Sequence, residues 1–303
     1  MASILPLSAG KSNKPQAGGR ERRIMGNPWY GLIPAVSYLL FFYLIPVVYL
    51  LSRSFKITQG SGIQFAPGLT LANYIEFFTA RTNYLAYARS MVISILVVLF
   101  ASLIAYAVAY TIVFIVPKRY QQMTLLLIIA PFWTSFVIRA FAWQLLLAEA
   151  GPVSAFLKQV GVGSLKILNT HVATVIGLTV FGVMMLTLNL YSVMENINPN
   201  LLAAAADLGA RRWQTFKEVV FPLSRPGLLI GAALTFIISF GDYVVPSLLG
   251  GGVRIVLSQA MVGAMTTSFN IPRASTYAMI MLVTILVVTM PILRLSRVGL
   301  NTE

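Results

Sequence analysis

Cysteine is absent from this 303-residue chain, histidine occurs once, and only 10% of the residues are charged. The first absence excludes disulfides, zinc ribbons, iron–sulfur clusters and thiol nucleophiles, and the second leaves no histidine-based metal cluster. Carboxylates are scarce as well, with 8 Asp and Glu against 22 Lys and Arg and a net charge of +14. In a soluble chain that excess would point to nucleic acid. Here most of the charges stand between long uncharged stretches, where they set topology, and no nucleic-acid partner is expected. Gly10, Lys11 and Ser12 match the end of a phosphate-binding loop, but that loop needs glycine at position 5, where Leu5 stands, and no strand precedes it. With no clustered acids or metal ligands either, the chain is not read as an enzyme, and it holds no cofactor of its own.

What fills the sequence is apolar: 58% of it is hydrophobic. A helix crosses the hydrocarbon core with about 20 residues, and six stretches reach that length. They are Trp29–Ser52, Ser90–Val116, Tyr120–Ala148 with Arg139 inside, His171–Met194, Pro226–Val253 with Asp242 inside, and Ala274–Leu293. Backbone in lipid must satisfy its own hydrogen bonds, so segments this long are helices and not porin strands. The expected fold is an all-α membrane protein with six transmembrane helices. A cytoplasmic tail over 1–28, a six-span domain over 29–298 and a short C-terminal tail over 299–303 complete the organisation. Lys and Arg concentrate before span one, between spans two and three, between four and five, and after six, which places both termini in the cytoplasm and Arg53–Arg81 outside. The lone His171 stands at the start of span four, and Ser154–Val160 fits a short external helix.

Pro34, Pro46, Pro131, Pro246 and Pro291 fall within spans and predict kinks. Ala101, Ala105 and Ala109, and the pair Gly227 and Gly231, repeat small residues at four-residue spacing, which suits close helix packing within one bundle.

Residues 196–225 read NINPNLLAAAADLGARRWQTFKEVVFPLSR. Leu201, Leu202, Ala205 and Leu208 form one apolar stripe at helical spacing, Gly209 interrupts it, and Trp213, Phe216, Val219 and Val220 form a second before Pro222. Two short amphipathic helices joined at a glycine are expected, with aromatics that another surface must cover. This stretch resembles the signature of type I ABC importer permeases, E-A-A, three residues, Gly, and Pro nineteen residues after the Glu. Ala204, Ala205, Asp207, Leu208, Gly209, Ala210 and Pro222 fall in register, while Ala203 stands where the family usually has Glu. The resemblance implies the type I ABC importer permease fold and a cytoplasmic coupling helix, to which Trp213 and Phe216 also contribute, seated on a partner ATPase. The departure at Ala203 removes a carboxylate from that contact.

PFWTSFVIRAFAW from Pro131 to Trp143 and FGDYVVPSLLGG from Phe240 are similar to segments of spermidine/putrescine permeases. That resemblance implies import of polyamines across the bacterial inner membrane. The implied partners are an ABC ATPase dimer holding ATP and Mg, a second permease subunit, a periplasmic solute-binding protein and membrane lipid. Another small solute, such as an amino acid, a phosphonate or ferric ion, fits the same fold; a stand-alone secondary transporter or channel is the alternative from another class. Asp242 is the one carboxylate inside a span. It serves either as counter-charge to a cationic solute, with aromatic faces from Trp133, Phe136, Trp143 and Tyr243 beside it, or as a structural group that pairs with Arg139 or caps a broken helix.

Overall fold

A computed structural model describes residues 28–59, 64–65, 68–161, 163, 166–252 and 254–298. The two expected tails, apart from Pro28, lie outside these residues. Among the described residues six helices are long and apolar enough to cross a membrane: Leu32–Ser54, Arg81–Ile115, Phe136–Gln159, His171–Met194, Arg212–Gly241 and Ile271–Ser296.

The chain forms two compact units, Met1–Val47 and Val48–Glu303. In the first, α1 (Pro28–Leu39) runs through a π-helical turn at Leu40–Leu44 into α2 (Ile45–Ser54). Its side chains, among them Leu32, Phe41 and Tyr43, are apolar and exposed, which suits a hydrocarbon surrounding and not water.

The second unit starts within α2. A two-residue antiparallel pair, β1 (Thr58–Gln59) and β2 (Gln64–Phe65), precedes α3 (Ala72–Thr79), α4 (Arg81–Tyr110), α5 (Lys118–Ile129), α6 (Phe136–Leu147) and α7 (Pro152–Gln159). Then come α8 (His171–Met194), α9 (Pro199–Asp207), α10 (Arg212–Thr215), α11 (Phe221–Gly241), α12 (Val244–Leu249), α13 (Leu257–Thr266) and α14 (Ile271–Val298).

The centre is α4 against α8, with α11 across both. No glycine or proline interrupts α4, and Ser90, Ser94, Ala101, Ala105 and Ala109 place small side chains along its buried face. That face meets Leu186, Leu190 and Met194 of α8. Gly182 marks where three helices converge: a Cβ there would come 2.7 Å from Thr235 Cγ2 and 3.0 Å from Ala101 Cβ. Gly227 and Gly231 of α11 face α8, since added methyl groups would lie 2.8 Å from Val193 Cγ2 and 2.6 Å from Leu186 Cδ2. The small-residue pattern therefore serves packing inside one chain. A second cluster, Phe77, Phe236, Phe240, Leu257, Tyr277 and Met281, joins α3, α11, α13 and α14.

Each of the π-helical turns, at Leu40–Leu44, Thr111–Ile115 and Phe216–Val220, is followed two residues later by a proline, Pro46, Pro117 or Pro222. The residue between them closes the wide turn: Ile45, Val116 and Phe221 donate their N–H to Leu40, Thr111 and Phe216. At Pro46 and Pro222 the helix continues, and because proline lacks the donor and its ring clashes with the carbonyl one turn back, one extra residue relieves the chain before it; at Pro117 the helix ends instead, with Val116 extended. Kinking at Pro46 is accounted for in this way, while Pro291 sits within an uninterrupted α14.

Three expectations need correction. The third span is not continuous from Tyr120 to Ala148: a 3-10 turn at Ala130–Trp133 and the non-helical Thr134 and Ser135 divide it, because Pro131 removes a helix donor, and the Pro131 carbonyl accepts both the Thr134 N–H at 3.2 Å and the Thr134 hydroxyl at 2.7 Å. The fifth helix stops at Gly241, so Asp242 occupies a break between α11 and α12 and not the interior of a helix. Finally, the stripe from Trp213 to Val220 is no separate short helix; α10, the π turn and α11 run on as one rod through Pro222.

Candidate functional site

The hairpin after α8 is built from local signals. Pro199 opens α9 without losing a bond, the Asn198 side chain accepts from the Asn200 N–H at 3.0 Å, and an alanine run carries the helix onward. Two reversed bonds end it, Gly209 N–H to Ala206 at 2.9 Å and Ala210 N–H to Ala205 at 3.0 Å. They require a left-handed residue, and Gly209 has φ +80°. The chain turns at once into α10, whose start is closed by the Arg211 N–H donating to Gln214 Oε1 at 2.7 Å.

Phe216 fixes this hairpin to the bundle. Its ring stacks on Trp213 with centroids 5.2 Å apart and meets Tyr106 and Tyr110 of α4 edge-on at 5.6 and 5.7 Å. The Tyr106 hydroxyl lies 2.7 Å from Ser224 Oγ, which ties α4 to the start of α11. Leu202 packs on the same cluster. A groove of about 720 Å³ runs between the hairpin and the end of α4, walled by Tyr110, Leu202, Ala206 and Phe216. Outside the groove lining, Leu208 and Trp213 are 89% and 69% exposed, and Ala203, Ala204, Asp207 and Pro222 are exposed as well; Ala205 and Ala210 are half-buried. Tyr106, Tyr110 and Ser224 were missed by the sequence reading. The four-residue spacing of the tyrosines, repeated at Phe114, was the available signal.

The expected pathway residues divide into two groups. Phe136 and Trp143 line one crevice with Arg139, Phe181 and Val245, a space of about 10 Å³, roughly one water molecule in size. Trp133 is 78% exposed on the 3-10 turn, and Asp242 and Tyr243 lie in the break before α12, outside that crevice. The Asp242 carboxylate accepts from the Val245 N–H at 2.8 Å, and its carbonyl accepts from the Ser258 hydroxyl at 2.6 Å. It thus caps α12 and joins it to α13.

Arg139 does not pair with Asp242; the ion pairs among the described residues are Lys166–Glu149 and Arg273–Glu76. Its guanidinium sits 5.2 to 6.0 Å from the ring centroids of Phe132, Phe136 and Phe181, and its Nη1 points at Met184 Sδ at 3.5 Å. Aromatic faces offer a cation partial compensation. Phe132 and Phe181 stack 5.4 Å apart to shape this box. Phe181 and Met184 come from α8, where an ordinary apolar helix gave no hint of the role.

Six helices among the described residues long and apolar enough to cross a membrane, with a glycine-closed hairpin between the fourth and fifth, define a multi-pass integral membrane protein. The chain belongs to the family of binding-protein-dependent transport system inner membrane components, whose model matches residues 24–296. It is 32% identical over 257 residues to the spermidine/putrescine transport system permease protein PotB of Haemophilus influenzae, covering 84% of this chain and 89% of that one. It is 27% identical over 275 residues to the inner membrane ABC transporter permease protein YdcU of Escherichia coli, covering 85% and 83%. The fold is similar to that of a bacterial ABC transporter involved in the import of the acidic polysaccharide alginate, with TM-score 0.71, 18% identity and coverage of 91% of this chain and 96% of that chain. A chain of the MetNI methionine ABC transporter gives TM-score 0.53 at 17% identity, covering 70% and 93%.

Proposed function

We propose that this chain is one permease subunit of an ATP-driven importer that moves polyamines inward across the bacterial inner membrane. The observation that carries the reading is the hairpin, which holds Leu208 and Trp213 exposed while Phe216 anchors it to α4. Exposed apolar side chains on a rigidly held hairpin call for a protein partner, and an ABC ATPase dimer binding ATP and Mg is that partner. Movement of the hairpin then shifts α11 directly, because α10, its second arm, runs into α11 as one rod. Ala203, Ala204, Ala205, Asp207, Leu208, Gly209, Ala210, Trp213, Phe216 and Pro222 are assigned to this coupling.

The polyamine class rests on the likeness to the spermidine/putrescine permeases and on Asp242, whose carboxylate has no cationic partner within ion-pair distance among the described residues. Asp242, Tyr243, Trp133, Phe136 and Trp143 are assigned to the pathway. The crevice at Phe136 and Trp143 holds no solute at its present size, so a second permease subunit has to complete the cavity and a conformational change has to open it. A periplasmic binding protein delivers the solute to the face opposite the hairpin, with both termini in the cytoplasm.

Reconstitution of the complex in proteoliposomes tests this. Uptake of labelled spermidine or putrescine is expected with the binding protein outside and ATP inside. Uptake that needs neither ATP nor the ATPase would establish a stand-alone transporter, and ATP-driven uptake of a non-cationic solute alone would remove the polyamine class.

A further inference from the structure

At the end of the bundle remote from the hairpin, α4 and α8 leave an open groove of about 500 Å³ that the transport reading does not use. The two helices run in the same direction, with Ile93 and Val97 near Ala173 and Leu178, and Ala101 to Ala109 near Leu186 to Met194. Leu85, Val92, Leu96, Phe100, Val172 and Val175 form its apolar walls. At its mouth the chemistry changes: Arg89 and His171 close the groove at the first turns of the apolar stretches. The Arg89 guanidinium donates to the Ile255 carbonyl at 3.4 Å, which ties the groove to the segment that carries the neighbouring, exposed Arg254. Among the described residues no carboxylate lies within ion-pair distance of Arg89 or Arg254. His171 Nε2 is buried without a hydrogen-bond partner, and the positive end of the α8 dipole adds to the same spot.

An apolar channel along two helices, with uncompensated cations at the interfacial end, has the polarity pattern of one class of molecule. We propose that the groove binds an anionic phospholipid, with an acyl chain against Val92, Leu96 and Phe100 and the phosphate on Arg89, Arg254 and His171. The volume lies in the range that ligand-sized sites occupy. A zwitterionic lipid fills the walls equally well but gains less at the mouth, because each cation there attracts an anionic headgroup more strongly than one without net charge. The inference rests on membrane insertion alone and is independent of the solute and of the ATPase.

Native mass spectrometry of the full-length chain, stripped of lipid and given phosphatidylglycerol or phosphatidylcholine of the same acyl chains, tests it. The wild type is expected to retain phosphatidylglycerol about tenfold more than phosphatidylcholine. Arg254→Gln, at an exposed loop position, is expected to lower that preference severalfold, and Arg89→Gln with Arg254→Gln to abolish it. Val92→Trp, which fills the groove from an exposed position, should release both lipids. Inorganic phosphate should not displace the bound lipid. Equal retention of the two lipids in the wild type, a preference surviving in the double variant, lipid retained by Val92→Trp, or displacement by phosphate alone would each overturn the proposal.

Discussion

The Asp242 carboxylate accepts the backbone N–H of Val245 at 2.8 Å and so closes the start of α12 immediately after α11 stops. Capping and solute attraction demand different chemistry from this side chain, which makes them separable. Asparagine keeps the cap and deletes the charge; alanine deletes both, at a cost of about 1 kcal/mol. Both variants are expected to lose polyamine uptake in proteoliposomes, and only Asp242→Ala to lower the melting temperature. Wild-type uptake by a stably assembled Asp242→Asn complex would leave the residue a cap and nothing more.

Two glycines should respond in opposite ways. A Cβ at Gly227 would sit 2.8 Å from Val193 Cγ2 and 3.1 Å from the Asn189 carbonyl oxygen, which is backbone and cannot give way. Gly227→Leu is therefore expected to cost about 1–3 kcal/mol and to lower the melting temperature of the purified chain. Gly209 has open space around it and a φ of +80°. Gly209→Ala strains only the hairpin turn, by about 1 kcal/mol, so melting of the bundle should hold while the ATPase co-purifies less well. A matched loss of melting temperature in both would mean that the hairpin is part of the folding core.

Span count and helix class were legible because an apolar run of bilayer length has one solution in lipid. The hairpin was legible because a glycine between two apolar stripes needs a left-handed residue. What the residues did not reveal was the form each break takes. Pro131 and Pro46 both sit in long apolar runs, yet Pro131 divides its helix with a 3-10 turn and Pro46 is absorbed by a π turn. The choice depends on how far the neighbouring carbonyls can move, which is a property of packing. Asp242 was found by charge, and capping a broken helix was one of the roles read for it; what composition does not show is which backbone group the carboxylate meets, here the Val245 N–H. The Arg139 box was illegible for another reason: two of its contacts, Phe181 and Met184, come from a different helix.

Arg139 stands among Phe132, Phe136 and Phe181 without a carboxylate partner among the described residues. A charge held only by rings and a thioether sulfur does little for the fold of a single chain, since removing it also removes its desolvation. Arg139→Met keeps the length and apolar stem, so the purified chain should melt at the wild-type temperature or above it. Transport by the assembled complex should nevertheless fall about tenfold, as expected for an ionisable group kept inside a membrane for function. A chain destabilised by the substitution, with transport per assembled complex unchanged, would make the box purely structural.

Pro222 gives the sharpest test of the rod that links hairpin to span. The π turn at Phe216–Val220 inserts one extra residue before it, and one residue is about 100° of helix rotation. Pro222 therefore sets the angle at which Leu208 and Trp213 are presented relative to α11. Pro222→Ala restores the missing N–H and removes the ring clash, so an ordinary α-helical turn becomes available and the hairpin turns with it. The variant should insert and melt normally while ATPase binding and ATP-driven uptake both drop. Undiminished ATPase binding and uptake by Pro222→Ala would mean that the π turn persists without its proline, and the register would then have to come from the aromatic contacts of Phe216.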